Sequence, residues 1–104
     1  MYYTAALEPH NDGTGRYDVT FPDLPGCVSQ GDSLEDAVRM GKEALSLHAS
    51  AMLADGDKLP KPSTLEEARK IFEQVAAEAG DPVPENMVYQ YIEPELFDLN
   101  NNLS

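Results

Sequence analysis

Polar and apolar positions alternate along Tyr17-Asp18-Val19-Thr20-Phe21, the period-two signature of a half-buried strand. The pattern predicts a strand over about Arg16–Phe21. Pro22 and Pro25 cannot donate to a ladder, so the strand ends there, and Gly26 permits a tight turn. A short strand resumes from about Cys27 to Gly31. Upstream, Met1–Leu7 reads as a first strand rich in Tyr, Thr and Ala. His10–Gly15 is the hairpin loop that joins it to the second, with two glycines available for positive φ. Met87–Ile92 forms a last strand.

Between Gly31 and Met87 the period changes. Leu34, Ala37, Val38, Gly41, Leu45, His48, Met52 and Leu53 recur at three- and four-residue steps, predicting a helix over about Ser33–Ala54 with one apolar stripe. Ser33 or Asp32 can cap its first turn, and Glu35 and Asp36 suit the positive end of the helix dipole. Gly41 costs about 1 kcal/mol of helix propensity, so a close approach to the sheet is expected there. Asp55-Gly56 supplies a left-handed stop. Leu59-Pro60-Lys61-Pro62 must be extended, because each proline disfavours helix in the residue before it. Thr64-Leu65-Glu66-Glu67 is a capping box that opens a second helix to about Ala79, closed by Gly80. Its apolar face is Leu65, Ala68, Ile71, Phe72, Val75 and Ala79.

The order strand-strand-strand-helix-helix-strand implies an α+β fold: a three-stranded antiparallel meander, then helices packed on one sheet face, then a fourth strand. A chain of 104 residues fits one domain, expected over 1–95, with 96–104 as a flexible tail or the start of a linker.

Charge changes the picture. Nineteen acidic against seven basic residues give a formal charge of -12. Such a surface repels phosphate backbones, attracts a basic partner, and can speed that encounter by roughly ten- to a thousandfold at low salt. Cys27 is the only cysteine, so no disulfide can form within the chain. With no apolar run near the ~20 residues that span a bilayer, the expected location is cytoplasmic.

The run Phe21-Pro22-Asp23-Leu24-Pro25-Gly26-Cys27, the short strand ending at Gly31-Asp32, and the helix that follows resemble the HicB-like antitoxins of bacterial and archaeal toxin–antitoxin pairs. The likeness continues through Lys42-Glu43-Ala44-Leu45, His48, Asp55-Gly56 and Leu59-Pro60-Lys61-Pro62-Ser63, and more weakly from Met87 to Glu93. It implies a partial ribonuclease H-like fold whose last strand returns beside the first. It also implies a basic HicA-type partner: a small mRNA-cleaving ribonuclease, neutralised when the antitoxin masks its active face with acids in place of phosphates. Candidate contacts are Asp18, Asp23, Tyr89, Tyr91, Glu93, Glu95 and Asp98. A homodimer or higher assembly is expected, because HicB-like proteins commonly assemble and an exposed edge strand is easily paired. Many HicB proteins append a DNA-binding domain; none is recognisable here, so nucleic-acid binding is not expected of this chain.

Catalysis is not expected, and neither is a metal or cofactor. A ribonuclease H site needs clustered carboxylates that hold two metal ions about 4 Å apart. Tyr2–Leu7 and Met87–Ile92 contain no acid, and Glu35 and Asp36 are explained as first-turn charges. Cys27 among apolar neighbours reads as a buried thiol, His48 as a boundary residue of the helix stripe, and His10 as a solvated loop residue. Tyr2, Tyr3, Tyr17, Tyr89 and Tyr91 read first as core and second as interface anchors. Two rival readings are a stand-alone acidic interaction or oligomerisation domain and a residual ribonuclease H-like nuclease.

Overall fold

A computed structural model describes residues 1–99; of the tail expected over 96–104, residues 100–104 lie outside the described residues. The chain runs β1 (Tyr3–Pro9), β2 (Tyr17–Thr20), β3 (Val28–Gly31), α1 (Leu34–Ala54), α2 (Leu65–Ala79) and β4 (Val88–Ile92). All three pairings are antiparallel, in the order β3-β2-β1-β4, so the last strand lies beside the first.

The register sorts the side chains. Leu7 pairs with Val19 and Tyr3 with Ile92, which puts Tyr3, Ala5, Leu7, Val19 and Ile92 on one face. That face, with Phe21, Leu24 and Cys27, meets Ala37 and Leu45 of α1 in the main core. Gly41 is a point of close approach between α1 and the sheet. A Cβ there would lie 3.0 Å from Val19 Cγ1, so the helix can settle this deeply only without one. The start of α1 crosses the end of β3 more tightly still: a Cβ at Gly31 would lie 2.3 Å from the Ala37 nitrogen. Ser33 caps α1, its hydroxyl accepting from the Asp36 N–H at 3.0 Å. After the helix Gly56 takes φ +82°, the Asp57 N–H returning to the Met52 carbonyl at 2.9 Å.

The buried face of α1 is rotated from the expected stripe. Leu34 and Leu53 are exposed, while Ala49, Ser46 and Ser50 are buried. The serines are inside because they hold the segment after β4. Ser46 Oγ accepts from the Glu95 N–H at 2.9 Å and Ser50 Oγ from the Phe97 N–H at 3.0 Å. Four helical residues rise about 6 Å and two extended residues span about 6.6 Å, so the two spacings nearly match.

The α+β class and the meander stand, but the placement of both helices on one sheet face is corrected. Tyr89 pairs with Ala6 and Tyr91 with Thr4, on the side away from α1. There Phe72 of α2 packs edge-on against Tyr89, and the Tyr91 hydroxyl accepts from the Leu65 N–H at 3.1 Å. α2 therefore covers the opposite face, over β1 and β4, and the sheet is sandwiched along β1. This explains why Tyr3 to Leu7 are all buried rather than alternately so. The Thr64 capping box forms with both bonds present, and Gly80 closes α2 in the left-handed region at φ +76°.

Candidate functional site

The double-proline segment is two consecutive tight turns. The Leu24 N–H bonds the Phe21 carbonyl and the Cys27 N–H bonds the Leu24 carbonyl, each at 2.9 Å. Pro22 and Pro25 each occupy the second position of a turn, where their fixed φ is already correct. Gly26 follows Pro25 at φ +88°, the third-position requirement of a type II turn. The three-residue repeat buries Phe21, Leu24 and Cys27 and leaves Pro25 and Gly26 outside. Spacing alone thus turns the motif into a rigid corner.

Asp23, the remaining residue of that corner, reaches across to the connection between the helices. Its Oδ2 accepts from the Ser63 N–H and its Oδ1 from the Ser63 hydroxyl, both at 2.7 Å. The buried Tyr3 hydroxyl donates to the Pro60 carbonyl in the same connection. Burial, and then the Asp23 charge, push the Tyr3 phenol above its ordinary range. Together these bonds lead the chain from the α1 face round to the α2 face.

On the α2 face the helix covers only β1 and β4. Its N-terminal half is seated by Ala68, which is fully buried, while Ile71 and Val75 are 38% and 61% exposed. Two buried hydroxyls in this part of the fold, Thr4 Oγ1 and Tyr89 Oη, have no hydrogen-bond partner among the described residues. Beside the C-terminal half of α2 a groove of about 520 Å³ opens, walled by Ile71, Phe72 and Val75 on one side and by Pro22 and Pro25 on the other. Glu8 and Asp81 also line it. Partial burial, then Asp18 and Asp81, raise the Glu8 carboxyl above its ordinary range, and His10 offsets this in part.

The candidate contacts do not gather on one face. Asp18 projects on the groove side near Glu8, with His10 Nε2 at 2.9 Å. Asp23 spends both oxygens on Ser63. Tyr89 is partly covered by α2, whereas Tyr91 is 45% exposed and lies tilted against Tyr2, with ring centroids 6.5 Å apart. Glu93 faces the N-terminus at 3.8 Å and Glu95 pairs with Lys42 at 3.2 Å on the α1 side. Asp98 is exposed on the segment beyond. Sequence reasoning missed Glu8 and Asp81 as groove residues. Two acids seventy-odd positions apart carry no local signal, although Val75 was legible as an apolar position on α2.

Cys27 is 2% exposed, and burial pushes its thiol up to about 11, which suits a packed thiol rather than a nucleophile. Asp36 accepts from the Asp32 N–H and from Arg39, both of which hold its carboxyl below the usual range. Among the described residues no group of three or more His, Cys, Asp or Glu side chains is placed to hold a metal ion. No helix among them is long and apolar enough to cross a membrane.

A family model described as a HicB-like antitoxin of bacterial toxin–antitoxin systems matches residues 3–78. An uncharacterized 14.9 kDa protein of Haemophilus phage HP1, encoded in the rep–hol intergenic region, is 45% identical over 67 residues, covering 64% of this chain and 48% of that protein. Antitoxin HicB 1 of Photorhabdus laumondii is 39% identical over 62 residues, 60% of this chain and 39% of that one. The chain thus spans less than half the length of these two relatives. A chain of the solved HicA3 and HicB3 toxin-antitoxin complex superposes with a TM-score of 0.61 at 25% identity, covering 91% of this chain and 99% of that chain.

Proposed function

Since the chain belongs to the HicB-like antitoxin family, we propose that it binds a small basic HicA-type ribonuclease and neutralises it by masking the toxin's active face. The observation that carries this reading is the family match over residues 3–78 on a chain of charge -12. A protein that must occupy an RNA-binding surface does so most directly by presenting carboxylates where phosphates would lie, and the charge excess steers the encounter. The solved complex that shares this fold is itself a toxin–antitoxin pair. The chain acts as a blocker without chemistry of its own, and works in the cytoplasm, where the toxin meets mRNA. Self-association, where it occurs, uses the free outer edge of β3, beside the 60%-exposed Val28.

The test is binding to a purified small basic HicA-type ribonuclease across a salt series. Tight association that weakens as salt rises is expected. Absence of binding at low salt would remove the inhibitor reading and leave the fold untouched.

A further inference from the structure

We propose that the groove between the C-terminal half of α2 and the double-proline corner is the seat of the toxin's anchor: a segment in which an apolar side chain adjoins a lysine or arginine. The proposal rests on the antitoxin reading above and names the surface that carries it.

Three observations converge on it. First, the apolar stripe of α2 is longer than the sheet beneath it uses. Ile71 and Val75 stand open along the groove, and β2 and β3 lack a helix on that face. An unfilled apolar wall opposite a rigid wall is the shape that receives an anchor residue at low cost in reorganisation. Pro22 and Pro25 supply the rigid wall, held by the nested turns and by Asp23 on Ser63.

Second, the groove is acidic, and His10 answers its charge only in part. Glu8 and Asp81 line it, and among the described residues neither takes part in an ion pair or side-chain hydrogen bond. Four basic side chains lie in ion pairs elsewhere: Arg16 with Asp32, Arg39 with Asp36 and Glu43, Lys42 with Glu95, and Arg69 with Glu66 and Glu73. A cation from a partner would answer these two carboxylates.

Third, the same charge argues against a second copy of this chain as the occupant. Its surface is acidic too, at -12 in total, so copies meeting here would set like charges together. Another exposed apolar patch, around Leu47 on α1, has its acids already answered by cations, Glu43 by Arg39 and Glu95 by Lys42.

The experiment is titration of the full chain, and of three variants checked by circular dichroism, with a purified HicA-type ribonuclease at low and moderate salt. Val75→Asp, at an exposed site that leaves the fold intact, is expected to weaken binding at least tenfold at both salts. Glu8→Gln with Asp81→Asn is expected to weaken it several-fold at low salt and to flatten the salt dependence. Leu47→Asp is expected to bind as the unaltered chain does. If the unaltered chain binds and the first two variants stay within twofold of it, the groove is overturned while the antitoxin reading survives. A concentration-dependent dimer lost in Val75→Asp, with toxin binding unchanged, would give the groove to a second copy and also overturn the proposal. Failure of the unaltered chain to bind overturns the antitoxin reading, and the groove with it.

Discussion

Asp23→Ala tests whether the acid of the proline motif is a structural clamp. Asp23 makes two bonds of 2.7 Å to Ser63, and both involve an ionised acceptor. Hydrogen bonds to charged groups contribute about 1.5–3 kcal/mol each, and partial exposure places these at the lower end. Losing both gives an expected destabilisation of about 2–3 kcal/mol, since water recovers part of the loss at Ser63. For a domain near this size each kcal/mol lowers Tm by about 4–8 °C, so a fall of roughly 10–20 °C is expected. Ser63→Ala removes only the hydroxyl bond and should cost about 1 kcal/mol. The two changes should be non-additive, with a coupling of about 1 kcal/mol in a double-mutant cycle by urea denaturation. A loss below about half a kcal/mol for Asp23→Ala, or strictly additive changes, would refute the clamp. Weakened toxin binding at unchanged stability would return Asp23 to the role of partner contact.

Two glycines separate steric from conformational necessity. Gly31→Ala would drive a Cβ to 2.3 Å from the Ala37 nitrogen and 2.5 Å from its Cα, where backbone meets backbone; a loss of about 3 kcal/mol or more is expected in denaturant titrations. Gly26→Ala meets nothing within 4 Å and should cost only the left-handed φ, about 1–2 kcal/mol. Glu8→Gln should raise the chain's stability at neutral pH. The folded carboxyl is raised above the ordinary 4.5, so the folded state binds more protons, and stability falls as pH rises from 4.5 through the raised value. The advantage of the variant should therefore vanish in melts run below 4.5 and be full above the raised value; an advantage independent of pH would contradict this origin. Cys27, buried and held protonated, should resist thiol-specific reagents at pH 8 until denaturant is added. Native-state labelling at the rate of a free thiol would show that the corner opens.

The elements that the sequence made legible are those whose signals are local. Pro22, Pro25 and Gly26 specify their turns by backbone chemistry alone, and Thr64 with Glu67 and Gly80 bracket α2 in the same way. Gly41 announced a close approach because nothing else justifies glycine within an apolar stripe. What was not legible depends on distant partners. The side of the sheet taken by α2 is set by the Tyr3–Pro60 and Asp23–Ser63 bonds, which join residues forty and more apart. One local signal does bear on it: Tyr3-Thr4-Ala5-Ala6-Leu7 does not alternate, as befits a strand covered on both faces. Nothing local marks Ser46 and Ser50 as buried, because their donors come from the segment after β4. The groove follows from how far α2 outruns the sheet, a matter of packing that no single residue encodes.

The most direct test of the central claim is the RNA-cleaving activity of a purified HicA-type ribonuclease, titrated with this chain at low salt. Cleavage should fall in proportion to added chain and end at a fixed stoichiometry, with activity recovered as salt rises and the complex dissociates. Undiminished cleavage in the presence of excess chain, with or without binding, would contradict neutralisation by masking.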